Sequence, residues 1–481
     1  MYIYSKEEIQ EADSTAEKRG MPVFTLMETA GRALYEALAN TVTRKDSILV
    51  LAGKGSNGGD GIVLARYLKQ NGFDAALVFP LGEPKADSPA DEHLRYFEAC
   101  GFASAAFSKN AACDVIVDAL LGAGSALPLR ENAEEIVKWA NGKNAMRVAV
   151  DLPTGVEADT GNCEEAFRAD MTFSLHGYKP SAFLLPSSSY YGKVTVLDIG
   201  LPHKGRFKVW TMDDVKRTLP VFPSSAHKGT FGTSYLIAGS EDMPGSVMMA
   251  AAAALRSGTG KLMIGTSKTA AGMMAAQVPE ATYFFDGLKK AAEGEFPEKI
   301  AAVGMGPGLQ DKDSITKAIH HLLQTDLPVV LDADALDERD YPDREQPVIL
   351  TPHPGEFSRM SGYGVKEVQA NRIQYASEYA VKHKVTVILK GEHTVIAYPD
   401  GTGAVNTIGN SALGKGGSGD TLTGMLTAFL GHYKDSRHAA ANAVVLHALT
   451  SEEWVKENGL RSMTATDISG LLPRVMKLAE T

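Results

Sequence analysis

Short apolar runs of strand length recur along the chain, each trailed by a longer stretch with the spacing of an amphipathic helix. Two helices open it, because Ser5 with Glu8 and Thr25 with Glu28 have capping-box spacing ahead of amphipathic runs. SILVLAG (47–53) reads as a buried strand ending in glycine, and a helix is expected from about 58 to 71, stopped by Gly72. Further buried strands are predicted at 74–79, 113–120 and 146–153, separated by helices near 90–100 and 131–141, and VTVLDIGLP (194–202) closes the series. Strands alternating with helices predict a parallel sheet covered on both faces.

The short polar segment 202–206 is the expected boundary, giving domains 1–203 and 204–481. A second alternating series follows. Its strands are predicted at 234–240, 261–266, 300–306, 328–334, 347–352 and 385–391, with a small, Ala-rich helix at 244–256 and long helices near 366–383, 419–432 and 437–457. No solenoid-period repeat and no low-complexity tract interrupts the pattern. The chain therefore reads as two α/β domains joined by a short linker.

Composition narrows the classes. The 481 residues include 44% hydrophobic and 22% charged positions, which is ordinary globular usage and excludes a disordered chain, a collagen-like repeat or a coiled coil. Lys and Arg number 48 against 58 Asp and Glu, a net charge of −10, so no nucleic-acid partner is expected. Cys100, Cys113 and Cys163 have no CxxC spacing, which argues against a zinc site or disulfide framework and fits a reducing compartment. The polar N-terminus lacks a signal-type apolar region. The most apolar stretch, 247–255, is far shorter than the ~20 residues of a membrane helix. A soluble, cytoplasmic protein with no membrane partner is the expectation.

In the first half, GKGSNGGDG (53–61) leaves a strand and opens a helix. Glycines there allow close approach of an anion to helix-start N–H groups, although a tight strand–helix turn would use the same residues. It is not a Walker A motif, since no GKS or GKT follows. Two more loops sit at predicted strand ends, VDALLGAGSALP (117–128) and VDLPTG (150–155), where open parallel sheets keep their sites. Asp118 and Asp151 could each merely cap a loop. Together with Asn57 they could give hard oxygen donors to an alkali or alkaline-earth ion.

With LMETAG (26–31), SNGGDG (56–61), VDALLGAG (117–124), DLPTG (151–155) and LDIGLP (197–202) in order, this half resembles the NAD(P)H-hydrate epimerase family. The resemblance implies a Rossmann-like three-layer sandwich that interconverts the R and S forms of hydrated NADH and NADPH. It implies that Ser56, Asn57, Gly58, Gly59 and Asp60, with Gly122, Ala123, Gly124, Ser125, Ala126, Leu127 and Pro128, bind the hydrate. Asp151 would contact it too, and Asn57, Asp118 and Thr154 would hold a potassium ion. The sequence departs from the family at 122–127, where GAGSAL stands in place of the more frequent GTGL. Inversion at the hydroxylated carbon needs a general acid–base group, and Asp151 is the expected one.

In the second half, NSALGKGGSGDTLTG (410–424) accumulates glycines just before a predicted helix. Successive N–H groups of Gly417, Ser418 and Gly419 would form an anion hole, with Asp420 placed as base for a hydroxyl attacking a phosphoryl group. A flexible linker with a capping Asp is the alternative. LKGEHTVI (389–396) puts Lys390 at a strand end, LTPHPGEF (350–357) holds His353 between two prolines, and GMGPGL (304–309) is a further Gly-rich strand end. In LDADAL (331–336), Asp332 or Asp334 could bind Mg²⁺ or cap a helix.

These motifs, with PGSVMMAAAAALRSGTG (244–260), resemble the ribokinase-like superfamily and, within it, the ADP- or ATP-dependent NAD(P)H-hydrate dehydratases. The resemblance implies that Ser246, Gly308, His353 and Asp420 contact the hydrate, and that Lys390, Gly391, Glu392, His393, Thr394 and Gly419 bind ADP or ATP. Mg²⁺ is the expected charge partner of the nucleotide. Ser246 departs from the family's usual Ala. The implied reaction phosphorylates the hydrate hydroxyl and then expels phosphate. A homo-oligomer is also implied. Two rivals remain: a vitamin-precursor kinase of the same fold, and a first domain that only binds a ligand.

Overall fold

The structure is a computed structural model and describes residues 1–124 and 127–481. The chain divides into two compact units, Met1–Phe207 with Gln369–Asn371, and Lys208–Val368 with Arg372–Thr481. Its strands are β1 (Tyr2–Ile3), β2 (Ser47–Ala52), β3 (Asp74–Val78), β4 (Val115–Ala119), β5 (Met146–Val150), β6 (Met171–Leu175) and β7 (Lys193–Leu197), then β8 (Phe207–Val209), β9 (Thr233–Ile237), β10 (Lys261–Thr266), β11 (Ala281–Phe285), β12 (Ala302–Met305), β13 (Val329–Leu331), β14 (Val348–Leu350), β15 (Thr386–Leu389), β16 (Thr394–Ala397) and β17 (Gly403–Asn406).

The first unit's sheet has the order β3-β2-β4-β5-β6-β7 and is parallel throughout. The apolar runs are buried on both faces, as a helix-covered parallel sheet requires; β4 is buried along its whole length. Register then decides where the polar ends emerge. Asp118 lies level with Leu51 of β2 and Ala149 of β5, so the loops after these strands leave one edge of the sheet together.

The helix Ser56–Gln70 starts inside the glycine motif, earlier than the sequence suggests, so SNGG is its first turn. Gly58 is required there: a Cβ would lie 1.9 Å from the Gly53 carbonyl oxygen. Ser5 and Glu8 form the expected capping box. Thr25 and Glu28 do not. That helix begins at Val23 behind Pro22, and Glu28 instead accepts two 2.6 Å bonds from Arg66 and one of 2.8 Å from the Tyr67 hydroxyl. A tertiary ion pair has taken the side chain that local spacing assigned to a cap.

In the second unit the sheet runs β8-β17-β16-β15-β14-β13-β12-β9-β10-β11. It is parallel from β15 to β11, whereas β15-β16-β17 is an antiparallel meander that the sequence pattern did not separate. The expected helix over 366–383 is two, Val365–Ala370 and Arg372–His383. Leu331, Leu350 and Val387 pair across β13, β14 and β15, so Asp332, Thr351 and the end of β15 at Leu389 emerge on one edge. The helices Pro244–Arg256 and Ser418–Leu430 pack closely, with the backbone of Ala250 against Gly424, where a Cβ would meet the Ala250 oxygen at 1.9 Å. Among the described residues no helix is long and apolar enough to cross a membrane.

Candidate functional site

The strand-end loops of the first unit border a cavity of about 520 Å³. Ser56, Asn57, Asp60, Gly122, Ala123, Gly124 and Asp151 line it, joined by Asp13, His176 and Lys179. Other expected residues lie elsewhere. Gly58 backs the turn, and Gly59 packs against Met27, whose sulfur would sit 2.2 Å from an added Cβ. Leu127 and Pro128 line a separate cavity with Glu134 and Cys163. Ser125 and Ala126 fall outside the described residues.

Asp151 sits just past β5 with a left-handed backbone, φ 69°. Its carboxylate accepts the Leu175 N–H at 3.0 Å and a short bond from the Lys179 ammonium. Lys179 is 1% exposed and is held by three more acceptors, the Leu175 oxygen at 3.0 Å, the Gly177 oxygen at 3.3 Å and the Ser174 hydroxyl at 3.4 Å. Asp60 has no such donor among the described residues. Burial, then the Asp151 and Asp13 carboxylates, push its pKa well above the usual range, against the pull of Lys179. Burial and Asp151 raise Asp13 likewise. One buried ammonium thus faces three carboxylates among the described residues, and burial with mutual repulsion favours the protonated form of Asp60 and Asp13 more than in water.

Asp118, Thr154 and Asn57 do come together. The Thr154 hydroxyl donates to Asp118 at 2.8 Å and accepts from the Leu121 N–H at 3.1 Å, while the Asn57 amide donates to the Leu121 oxygen at 3.2 Å. Burial pushes Asp118 up to about 6, although bonds from Thr154 and Leu120 pull the other way. A fully buried carboxyl with no cationic side chain beside it among the described residues, near hydroxyl, carbonyl and amide oxygens, fits a hard monovalent cation in its donor chemistry.

In the second unit the helix Ser418–Leu430 starts on Gly417, whose φ of 92° suits glycine and would strain any other residue. Asp420 lies in the first turn and accepts a bond from Ser246. Burial, then the nearby Asp332 carboxylate, push Asp420 up to about 6. Gly308, with φ 68°, presses on Ser246; a Cβ there would stand 3.0 Å from the serine Cβ. His353 caps the helix Pro354–Ser361, its Nδ1 accepting from the Gly355 and Glu356 N–H groups at 3.0 and 3.2 Å, while its ring remains half exposed.

Asp332 is neither a helix cap nor open to a metal. Lys390 donates to it at 2.9 Å and Thr423 at 2.8 Å. Burial alone would raise its pKa, but Lys390 and the bonds from Thr423 and Thr351 hold it below the ordinary range. Lys390 also stands 4.0 Å from Glu356. Gly419 gives the ammonium room, since a Cβ there would approach it to 3.2 Å. Lys390, Gly391, Glu392, Thr394 and Gly419 line a cavity of about 750 Å³. His393 does not: burial lowers its pKa, and its carbonyl accepts from Arg372 at 3.1 Å. Asp334 is pushed up by burial and by Glu356 and Asp332. Asp334 accepts a backbone bond from Leu309 and Glu356 one from His353 at 2.7 Å, and these carboxylates suit Mg²⁺ held mainly by phosphate oxygens.

Sequence reasoning missed Lys179, Asp13 and His176 altogether, and it did not connect Lys390 to Asp332. No local signal marks the first three. The only hint at Lys179 is its place between a strand and Pro180.

Comparison with known proteins places these sites in context. Residues 234–474 match the profile of the NAD(P)H-hydrate dehydratase family, and residues 23–181 that of the YjeF-related protein N-terminus. The ADP-dependent (S)-NAD(P)H-hydrate dehydratase of Bacillus subtilis is 49% identical over 271 residues, 56% of this chain and 98% of the relative. The bifunctional NAD(P)H-hydrate repair enzyme of Moorella thermoacetica is 31% identical over 519 residues, covering 100% of this chain and 97% of its own. The crystal structure of the ADP/ATP-dependent NAD(P)H-hydrate dehydratase from Bacillus subtilis, co-crystallised with ATP/Mg²⁺, superposes with a TM-score of 0.56 at 49% identity over 57% of this chain and 99% of its own.

Proposed function

The chain belongs to the family of bifunctional NAD(P)H-hydrate repair enzymes, and from that premise we propose a division of labour between its two sites. The first unit interconverts the R and S forms of hydrated NADH and NADPH. The second dehydrates the S form at the expense of ADP or ATP. The observation that carries this reading is Asp420, half a helical turn inside a glycine-started helix and bonded to Ser246.

Asp420, ionised, takes the proton of the hydrate hydroxyl as that oxygen attacks the terminal phosphorus of the nucleotide. The bond from phosphorus to the nucleotide breaks, and the N–H groups at the start of the Ser418–Leu430 helix meet the transferring charge. The C–O bond of the phosphate ester then breaks, and phosphate leaves with its electron pair. Loss of a proton from the adjacent ring carbon restores the dihydronicotinamide double bond. Phosphate is expelled where hydroxide would have been a poor leaving group. Lys390 supplies a cation beside the nucleotide loop, and Ser246, Gly308 and His353 shape the hydrate side. Mg²⁺, when bound, would neutralise phosphate charge; Asp334 and Glu356 are the carboxylates suited to it.

In the first unit, Asp60, whose pKa burial and Asp151 raise, is the group suited to donate a proton, and Asp151, held by Lys179, faces the same space. An acid and a carboxylate at one cavity suit loss and regain of the ring hydroxyl, which inverts the carbon. Potassium, when bound, would offset the buried charge of Asp118, with Thr154 and Asn57 supplying oxygens. Incubating the full chain with mixed R and S hydrates of NADPH and ADP or ATP tests the reading. Complete recovery of NADPH absorbance is expected. A phosphorylated product with no recovered absorbance would instead point to a small-molecule kinase, and recovery of the S form alone would point to a first unit that only binds.

A further inference from the structure

His176 belongs to the first unit's cavity, and nothing above gives it a role. It follows β6 with a left-handed backbone, φ 66°, which is unfavourable for any residue with a Cβ. Its ring is 2% exposed, and neither ring nitrogen has a hydrogen-bond partner among the described residues. Tyr4 stacks on the ring at 4.5 Å between centroids and His203 at 5.1 Å. Stacked rings leave the nitrogen-bearing edge as the polar part of the side chain. The same ring forms part of the cavity wall with Asp60, Asp151 and Lys179. Burial, then His203 and Lys179, hold its pKa down to about 4, with only Asp198 opposing, so the imidazole is neutral and offers one donor and one acceptor.

A residue kept here for packing alone would be served better by an apolar ring. Burying two unpaired polar nitrogens is unfavourable unless a ligand completes them. We infer that His176 is a substrate-binding residue: its imidazole exchanges a hydrogen bond with an uncharged polar group of the hydrated nicotinamide ring, the carboxamide or the hydroxyl. This rests on the reading of the first unit as the epimerising site.

Epimerisation of hydrated NADPH by the full chain, by Asp151→Asn, and by His176→Phe and His176→Gln separates the two ideas. His176→Phe is expected to raise KM about tenfold while kcat stays within about twofold, and His176→Gln to move KM back toward the parent value. A parent-like KM in His176→Phe, or a loss confined to kcat, overturns the inference, as does a Gln variant no better than Phe. Should the Phe variant not fold, His176→Ala removes the same hydrogen bond with less crowding and is judged by the same KM criterion. If the parent and Asp151→Asn both leave the R/S ratio at its uncatalysed pace, the epimerase reading itself has failed, and this inference with it.

Discussion

Both units bury a lysine ammonium against an aspartate, Lys179 on Asp151 and Lys390 on Asp332, yet the two ammonium groups differ in what else they touch. Lys179 is 1% exposed and spends its donors on a carboxylate, a hydroxyl and two carbonyls. Lys390 is 22% exposed, bonds one carboxylate and borders a large cavity beside Gly419. The first is a fixed charge that orients Asp151. The second is bonded to Asp332 at 2.9 Å yet reaches the cavity edge. The neighbouring carboxylates differ too: Asp332 is held low by its donors, whereas Asp60, with no donor among the described residues, is pushed up by burial and by Asp151 and Asp13. An isomerisation needs a proton on hand, and a phosphoryl transfer needs a cation and a base; under the proposed division of labour each unit's charges suit one of these.

Changes at the two sites can break that contrast. Asp420→Asn should lower the rate of NADPH recovery by about 10³-fold while R/S interconversion continues at the parent rate, since a positioned general base contributes roughly 10²–10⁴-fold. Equal loss in both assays would mean the sites are not independent. Lys390→Met should reduce kcat/KM for ADP or ATP by about 10²-fold, a charge-assisted contact of a few kcal/mol. Lys179→Met removes a buried cation and leaves Asp151 alone. The unit should lose about 3–5 kcal/mol, read as a lowered Tm of one thermal transition.

A gentler probe is pH. A base works only when ionised, and Asp420 sits near 6. Dehydration should therefore be flat above about pH 7 and fall as pH drops through about 6, while Asp420→Asn shows no such step. The smallest effect expected is from cation exchange: replacing potassium by lithium should slow epimerisation severalfold and leave dehydration in the presence of Mg²⁺ less affected. Asp118→Asn should abolish that sensitivity.

Much of this was legible in the chain. Apolar runs and glycine punctuation located β2, β4 and β5 and the helices after them, because burial on both faces of a parallel sheet demands such runs. Asp118, Asp151 and Asp420 stand where their sequence context puts them, at strand ends and a helix start. Thr25 was misjudged, because its capping partner Glu28 had a stronger one in Arg66. His393 does not line the cavity that its neighbours line, because a motif does not say which way a strand-end side chain faces.

What the sequence determined, then, is the order of elements and the loops that carry chemistry, since hydrophobic periodicity and turn residues act over a few positions. The tertiary structure alone decided which charges meet. Asp151 reaches Lys179 across 28 residues and Asp332 reaches Lys390 across 58. Those pairings, and the raised pKa of Asp60, depend on sheet register and on the low dielectric of a packed interior, and neither is encoded in any local pattern.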